Sequence, residues 1–402
     1  MKHIVILGDG MADLPLENYG NKTPLQMAEK PHIDWLAKHG QNGMLITVPE
    51  TMTPGSEIAN LAVMGYDVEK VFEGRGVLEA ASIGVNIGDN DLALRCNLIC
   101  VDGEKIKNHS AGHISTKEAS ELIQFLNKTL GNKKIRFYPG VSYRNLLVIK
   151  DGVKDMECTP PHDAVGIPFR EVLTKPVEEE AEKTSRLLDY LIIRSRYLLE
   201  NHSINLKRKA EGKDMANLIW PWSPGYRPEM KTFKEMFGIE RSAVISAVDL
   251  IQGIGVYAGM DVIKVDGATG LYNTNYEGKA KATVDALKDH DFVYLHIEAS
   301  DEAGHEGDVE LKTRTIEYLD RRVVKYIIEE TQKMNEDVSI AILPDHPTPC
   351  AIRTHTRDAV PFLIYHKGIS PDEVGVYDEF AAKNGCLGTL VNDGFIKTFL
   401  KI

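Results

Sequence analysis

The chain lacks the features that mark secreted and membrane-bound proteins. Its five cysteines, Cys96, Cys100, Cys158, Cys350 and Cys386, are an odd number with no CxxC spacing. This pattern argues against a disulfide framework and favours a reduced, cytoplasmic setting. No apolar run approaches the roughly 20 residues that a membrane helix needs. The apolar stretch in MKHIVILGDG is too short for a signal peptide and predicts a first strand instead.

Long basic runs and a nucleotide-binding P-loop are also missing. The formal net charge is −12 over 402 residues, which argues against nucleic acid or an anionic membrane as a partner. The sequence holds no GxxxxGK[ST] motif, and this absence weighs mildly against a nucleotide substrate. The composition is that of an ordinary globular protein, with 43% hydrophobic and 26% charged residues and ample length for a large core.

Strand and helix patterns alternate over most of the chain, which is typical of an α/β fold whose mostly parallel central sheet is flanked by helices. Apolar runs such as HIVIL, DFVYLHI and VSIAIL are separated by helical stretches such as YEGKAKATVDALKDH. The middle differs, because the β-like runs LALRCNLIC, KIRFYPG and RNLLVI surround a single helix, TKEASELIQFLNKTL. We therefore predict a core domain formed by residues 1–90 and 180–402, with a smaller α+β cap domain inserted at residues 91–179.

Three of the predicted strands end in acidic or acid–histidine groups. In an open parallel sheet, ligands bind beyond the carboxyl ends of the strands, so these groups are expected to converge. A further histidine follows nine residues after the last of them. The residues are Asp9, Asp301, His305, Asp345, His346 and His355.

Each of these groups alone has an ordinary structural explanation. An aspartate after a strand is often a turn or helix-cap residue, and a buried histidine is often a hydrogen-bonded core residue. Three strand ends with the same chemistry favour a metal centre over independent caps. Mixed carboxylate and imidazole ligands suit Mn²⁺ or Zn²⁺, and Mg²⁺ less well.

Ser56 follows Pro54 and Gly55 at the predicted start of a helix, TPGSEIANLAVMGY. One interpretation is an N-cap serine, with Glu57 placed favourably at the positive end of the helix. The alternative is a nucleophile, because a helix N-terminus favours a phosphate group and a serine alkoxide. A metal ion bound to the hydroxyl would lower its pKa further.

These residues lie in longer motifs through which the chain resembles the archaeal type of cofactor-independent phosphoglycerate mutase, within the alkaline phosphatase superfamily. The resemblance spans nearly the whole length. It implies an alkaline-phosphatase-like core and the interconversion of 3-phosphoglycerate and 2-phosphoglycerate without added 2,3-bisphosphoglycerate. The motifs are GDGMADLP, KTPLQMAEKPHIDWLA, TPGSEIANLAVMGYD, EGRGVLEAASIGV, GATGLYNTNYEGKA, HIEASDEAGHEGD, PDHPTPCAIRTHT and AVPFLIY.

The resemblance also implies a site with two divalent metal ions, Mn²⁺ or Zn²⁺, around a serine nucleophile. Ser56 would carry the phosphoryl group as a phosphoserine and return it to the other hydroxyl of the retained glycerate. The matching ligands are Asp301, His305 and His355 for one ion, and Asp9, Ser56, Asp345 and His346 for the other.

A small phosphorylated substrate with a carboxylate calls for cationic partners, and arginine binds both groups in a bidentate manner. The ordinary explanation for each arginine is an exposed ion pair, and for the lysine of YEGKA a solvated helix position. The candidate substrate contacts are Arg75, Arg95, His109, His113, Arg144, His162, Asp163 and Lys279.

Three other functions are compatible with these residues. The same site could transfer phosphate from a nucleotide to another small alcohol, as a homoserine kinase does. It could instead hydrolyse phosphate or sulfate monoesters, if water replaced the retained alcohol, although a closing insert that excludes water would favour transfer. In the third alternative the metals only stabilise a non-catalytic domain.

Overall fold

The structure, a computed structural model, describes residues 1–401 and divides them into two compact units. The first unit comprises Met1–Phe72 together with the residues from Met230 onward, and the second comprises Glu73–Glu229. The strands of the first unit are β1 (Lys2–Gly8), β2 (Gln41–Ile46), β10 (Ser242–Ile245), β11 (Asp261–Val262), β12 (Phe292–Ile297), β13 (Val338–Leu343), β14 (Val360–His366) and β15 (Thr389–Val391). Those of the second are β3 (Asp91–Asp102), β4 (Lys105–Asn108), β5 (Ile135–Val141), β6 (Arg144–Lys150), β7 (Met156–Glu157), β8 (Lys175–Pro176) and β9 (Leu218–Gly225).

The helices also divide between the two units. The first unit contains α1 (Pro24–Met27), α2 (Pro31–Lys38), α3 (Ser56–Val63), α4 (Val68–Val71), α9 (Phe233–Phe237), α10 (Asp249–Tyr257), α11 (Tyr276–Ala286), α12 (Ala299–Glu306), α13 (Val309–Tyr318), α14 (Lys325–Thr331) and α15 (Gly394–Leu400). The second contains α5 (Arg75–Ser82), α6 (Thr116–Thr129), α7 (Glu182–Glu200) and α8 (Ser203–Ala210). None of the helices within residues 1–401 is long and apolar enough to cross a membrane.

The first unit is built on an eight-stranded sheet in the order β11-β10-β12-β1-β13-β14-β2-β15. Strand β1 is parallel to both of its neighbours, β12 and β13, while β14 is antiparallel to β13 and β2. The residues of β12 and β13 are buried throughout, as expected for parallel strands covered by helices on both faces. The predicted α/β fold with a mostly parallel sheet is therefore confirmed. The adjacent carboxyl ends of β12, β1 and β13 form one edge of this sheet.

The second unit has its own antiparallel sheet and its own core. Strand β3 pairs with β4, β6 and β9, and β6 pairs with β5. Helix α6 has a regular apolar face because Leu122, Ile123 and Leu126 recur at helical spacing, and these side chains are fully buried in the core beneath the sheet.

The second unit, Glu73–Glu229, is longer than the predicted insert of residues 91–179. The difference arises because β9 pairs with β3 along most of its length, although more than 100 residues separate them. Helix α5 packs on β3, and α7 packs on β9. Helix α7 lies in the segment 180–402 that was predicted to be core, but it belongs to the second unit.

Candidate metal centre and nucleophile

Loops at the carboxyl ends of β1, β12 and β13 bring the predicted acidic and histidine side chains together in the first unit. Asp9 follows β1, and Asp345 follows β13. Helix α12 carries Asp301 and His305 four residues apart, so they lie on one face. Two groups offer ligand atoms within 4.8 Å of one another: Asp9 with Asp345 and His346, and Asp301 with His346 and His355.

His305 joins the second of these groups. Its Nε2 atom lies 3.2 Å from Oδ2 of Asp301 and 3.0 Å from Nε2 of His355. The Nε2 atom of His355 is 3.4 Å from Oδ1 of Asp301. The three side chains predicted to hold one metal ion thus surround a single point.

All three histidines of the site are oriented in the same way. Each ring has its Nδ1 atom against an oxygen of the protein and its Nε2 atom towards the carboxylates. This is how metal-binding histidines are commonly held, because the outer contact fixes the tautomer and the ring orientation. The outer partners are the carbonyl oxygen of Arg353 for His305 (3.0 Å), the carbonyl oxygen of Pro54 for His355 (3.5 Å) and Oγ1 of Thr348 for His346 (3.3 Å).

The charges of the site call for a cation. Asp9 is buried, and its Oδ1 atom has no hydrogen-bond partner within the described residues. Burial, with the nearby charges of Asp345 and Asp301, raises the pKa of Asp9 well above its usual value. The hydrogen bond to Asp301 raises the pKa of His305 to about 9, so that a proton is held where positive charge is needed. The residues present therefore fit bound divalent metal ions.

The turn that follows β1 requires glycine at position 10, because it passes close to Asp301 of α12. Gly10 has a φ of +60°, and a Cβ atom there would lie 2.6 Å from Oδ1 of Asp301. Its backbone N–H donates to Oδ1 of Asp345 (3.1 Å). The GDG sequence thus lets the β1 loop approach both acidic groups closely.

Ser56 is the first residue of α3, and Gly55 occupies the N-cap position. Because the N-cap residue is a glycine, which has no side chain, the interpretation of Ser56 as a capping residue is wrong. Its Oγ atom instead lies 3.1 Å from Nε2 of His346. The hydroxyl is directed at the cluster of ligand-type side chains, where a nucleophile would be needed.

Asn60 is a buried residue of the site that the sequence analysis missed. Its side-chain N–H₂ group donates to the carbonyl oxygen of Ser56 and to Oδ2 of Asp345, at 2.8 Å in each case. It lies four residues after Ser56 and therefore on the same face of α3. That spacing was the one signal in the sequence that could have identified it.

In the second unit, most of the predicted substrate contacts gather around the rings of Tyr143 and Trp222. Arg95 is buried, so an exposed ion pair is the wrong description of it, although its Nη1 atom lies 3.4 Å from Glu79. Burial lowers the pKa of Arg95, and the positive charges of Arg144 and Arg75 add to this effect. The ring contacts are Arg95 and His162 with Trp222 (5.2 and 5.7 Å), Arg144 and His113 with Tyr143 (5.7 and 6.2 Å), and His109 with both His162 and Tyr143 (6.3 and 6.1 Å).

Three predicted contacts have different surroundings. Arg75 is the first residue of α5, and its backbone N–H donates to Oγ of Ser223 (3.1 Å). Asp163 is exposed beside His162, with 3.8 Å between its Oδ1 atom and Nε2 of His162. Lys279 belongs to the first unit and is 1% exposed, so a solvated helix position is wrong for it. Its Nζ atom lies 3.4 Å from the carbonyl oxygens of Thr269 and His296, and burial lowers its pKa to about 8.

A buried network of charges supports the loops that follow β1 and β13. The Nζ atom of Lys312 donates to the carbonyl oxygens of Ala12 (2.9 Å) and Thr348 (2.8 Å) and to Oδ2 of Asp13 (2.8 Å). Glu379 accepts from the backbone N–H of Asp13 (2.9 Å). Its other oxygen accepts from the Thr23 hydroxyl (2.7 Å). Burial raises the pKa of Glu379 from 4.5 to about 7.

Glu379 should make the stability of the protein depend on pH. Because its pKa is higher in the folded than in the unfolded state, its contribution to stability is largest below pH 4.5 and declines as the pH rises through about 7. Glu379→Gln cannot ionise. We expect the free energy of unfolding of the wild type, relative to this variant, to fall by about 3 kcal/mol between pH 4.5 and pH 8.

Urea unfolding at a series of pH values measures this difference. The control is Glu240→Gln, which changes an exposed glutamate paired with Lys234. It should follow the wild type at every pH. Parallel pH profiles for the wild type and Glu379→Gln would contradict the prediction.

Comparison with known proteins places the chain among relatives of similar length. A family model described as 2,3-bisphosphoglycerate-independent phosphoglycerate mutase matches residues 37–205. A protein of that name from Methanosarcina acetivorans is 48% identical over 404 residues and is covered completely by the match, as is this chain. The 2,3-bisphosphoglycerate-independent phosphoglycerate mutase 2 of Methanothermobacter thermautotrophicus is 49% identical over 390 residues, covering 97% of this chain and 94% of the relative.

Two solved structures share the whole architecture. The PH0037 protein from Pyrococcus horikoshii superposes with a TM-score of 0.84 at 30% identity, covering 100% of this chain and 96% of that one. The cofactor-independent phosphoglycerate mutase from Thermoplasma acidophilum superposes with a TM-score of 0.70 at 27% identity, covering 100% and 99%.

Proposed function

Because this chain belongs to the family of 2,3-bisphosphoglycerate-independent phosphoglycerate mutases, we propose that it interconverts 3-phosphoglycerate and 2-phosphoglycerate through a phosphoserine at Ser56. Membership of this family makes it an enzyme of the isomerase or phosphotransferase kind. The observation that carries the finer proposal is the position of the Ser56 hydroxyl, 3.1 Å from His346 and beside two carboxylate–histidine groups at one edge of the sheet.

Two divalent metal ions, Mn²⁺ or Zn²⁺, fit the ligand-type side chains of the first unit. Bound there, they would lower the pKa of the serine hydroxyl and offset the negative charge of the phosphoryl oxygens. The residues that would hold one ion are Asp301, His305 and His355, and those that would hold the other are Asp9, Ser56, Asp345 and His346.

Ser56 is the nucleophile in the proposed reaction. Its Oγ atom forms a bond to phosphorus while the bond from phosphorus to O3 of 3-phosphoglycerate breaks, and O3 takes up the proton that the serine gives up. The 2-hydroxyl of the retained glycerate then attacks the phosphoserine and restores the free Ser56 hydroxyl. The same steps run in both directions, as interconversion requires.

We propose that the second unit binds the substrate. Its cluster of arginine and histidine side chains has the chemistry that a phosphate or carboxylate group requires. Arg95 is held under the indole of Trp222, while the side chain of Arg144 is exposed and lies over the ring of Tyr143. Lys279 supplies a further positive charge in the first unit, close to the carboxyl end of β12.

Arg144→Gln is expected to raise KM for 3-phosphoglycerate about 10–100-fold, since it removes a charge-assisted hydrogen bond to the substrate. Initial rates over a range of substrate concentrations measure this change. The matched control is Arg186→Gln, which alters an exposed arginine of α7 paired with Glu182. An unchanged KM for Arg144→Gln would remove this residue from the substrate site.

The function is tested with purified, Mn²⁺-loaded protein and 3-phosphoglycerate, without added 2,3-bisphosphoglycerate. Formation of 2-phosphoglycerate, followed through a coupled assay, is the expected result. The same preparation is offered ATP with homoserine, and its release of inorganic phosphate from 3-phosphoglycerate is followed in parallel. Phosphohomoserine or free phosphate in place of 2-phosphoglycerate would overturn the proposed substrate.

A further inference from the structure

We propose that Tyr294 and His296, two polar residues inside strand β12, are positioning residues that orient the Ser56 loop and the carboxylates of Asp345 and Asp9. The proposal rests on the proposed function, because it concerns the side chains assigned there to the nucleophile and one metal ion. Neither residue touches the place where the substrate would react; each acts through another side chain.

Both residues lie on one face of a central strand. Successive side chains of a strand alternate between faces, so residues 294 and 296 point the same way. In β12 they stand opposite Val5 and Leu7 of β1, and both are 0% exposed. Burying a phenol and an imidazole in such a position is unfavourable unless their polar atoms are hydrogen-bonded. Both are bonded, and each bond leads to the candidate site.

Tyr294 acts through Asn60. Its hydroxyl donates to Oδ1 of Asn60 (2.6 Å). This contact leaves the N–H₂ group of Asn60 directed at the carbonyl oxygen of Ser56 and at Oδ2 of Asp345. Without the phenol, Oδ1 of Asn60 would be a buried acceptor with no partner, and the amide could turn over. The tyrosine therefore determines which end of the amide faces the nucleophile and the carboxylate.

His296 acts directly on Asp9. The ring is fully buried, and each of its two nitrogen atoms has a hydrogen-bonding partner. Because the carboxylate of Asp9 accepts, the hydrogen-bond network places an N–H on Nε2, which donates to Oδ2 of Asp9 (2.9 Å), while Nδ1 lies 3.1 Å from the Ser246 hydroxyl. Since Oδ2 is engaged in this way, the unpartnered Oδ1 of Asp9 is turned towards His346, at 3.7 Å.

Both contacts orient side chains that belong to the same proposed metal-binding group. Asp9, Asp345 and Ser56 all belong to the proposed ligand set of a single metal ion. The other set depends on Asp301, His305 and His355, whose outer contacts come from Thr348, Arg353 and Pro54. Loss of either β12 contact should therefore weaken the binding of one metal ion and leave the binding of the other almost unchanged.

The first test compares Tyr294→Phe with Tyr377→Phe. Tyr377 is also 0% exposed, and its hydroxyl donates to the carbonyl oxygen of Pro361 (2.8 Å). Each variant thus loses one buried phenol hydroxyl, but only the first loses a contact that leads to the site. Calorimetric titration of metal-free protein with Mn²⁺ gives the affinities, initial rates give kcat and KM, and urea unfolding gives stability.

We expect Tyr294→Phe to lower the affinity for one of the two Mn²⁺ ions about 10–100-fold. It should lower kcat to a similar extent and leave KM nearly unchanged. Tyr377→Phe should lower the stability of the protein without changing the Mn²⁺ affinities or kcat. Equal metal affinities and equal kcat values for the two variants would overturn the proposal for Tyr294.

The second test uses His296 and does not depend on whether Tyr294→Phe folds. His296→Gln keeps an N–H donor near the position of Nε2, whereas His296→Leu removes it. The leucine variant should lose about 10–100-fold in affinity for one Mn²⁺ ion, and the glutamine variant should recover most of this loss. Equal affinities for both variants would overturn the role of His296. A wild-type protein without mutase activity would instead overturn the proposed function, and the affinity comparison would still decide the positioning role.

Discussion

Replacing Ser56 by alanine is expected to lower the mutase turnover number by about 10⁴-fold or more, with little change in the binding of Mn²⁺ at the Asp301 group. The serine oxygen is the proposed nucleophile, and removal of a nucleophile leaves only the catalysis that binding and charge stabilisation provide. The hydroxyl lies 3.1 Å from Nε2 of His346, and Gly55 rather than Ser56 caps α3. The loss of activity should therefore not be a consequence of an uncapped helix.

The matched control is Ser339→Ala in strand β13. Ser339 is fully buried, whereas Ser56 is half-buried, and the Ser339 hydroxyl donates to the carbonyl oxygen of Tyr365 at 3.4 Å, away from the site. Its turnover should equal that of the wild type. Mass spectrometry of wild-type protein quenched during turnover should detect one phosphate on the peptide that contains Ser56. Activity within tenfold of wild type in Ser56→Ala would exclude this residue as the nucleophile.

Removal of divalent metal ions with a chelator is expected to abolish turnover and to lower the melting temperature, and added Mn²⁺ should restore both. Three buried carboxylates, Asp9, Asp301 and Asp345, converge in the site, and without a cation their mutual repulsion destabilises the folded state. A ligand present at 100 times its dissociation constant stabilises the folded protein by about 2.7 kcal/mol. Differential scanning calorimetry with and without Mn²⁺ measures the shift.

Asp345→Asn provides the comparison for this experiment. It keeps the shape of the side chain and removes one carboxylate of the Asp9 group. The variant should show a smaller rise in melting temperature with Mn²⁺ than the wild type, because one metal ion is held less tightly. If the wild type keeps its activity after exhaustive chelation, or if Mn²⁺ leaves its melting temperature unchanged, the metal-centre proposal is wrong.

The family and the fold class could be predicted because they depend on local patterns. The apolar runs that became β1, β12 and β13 are strongly periodic or continuous, and each is followed by a short motif whose residues are close in sequence. Parallel strands bring those motifs to one edge, so the grouping of Asp9, Asp301 and Asp345 followed from topology alone. The ring orientations of the three histidines could not be predicted from topology, because their outer partners are two backbone carbonyls and the Thr348 hydroxyl.

The boundaries of the second unit were not predictable in the same way. Strand β9 pairs with β3 across more than 100 residues. Nothing in the pattern of either segment specifies that partner, because strand pairing depends on which segments the folded chain brings together.

Burial was the other property that local patterns missed. Lys279 looked like a solvated helix residue and is 1% exposed, and Ser56 looked like a helix cap, a position that Gly55 occupies. Tyr294 and His296 looked like ordinary members of an apolar strand. The amino-acid pattern thus specified the elements of this protein and the kinds of side chain at their ends. Those side chains make their contacts with residues that are distant in sequence. Their physical roles are decided only by the tertiary structure, because packing of the chain removes the side chains from water.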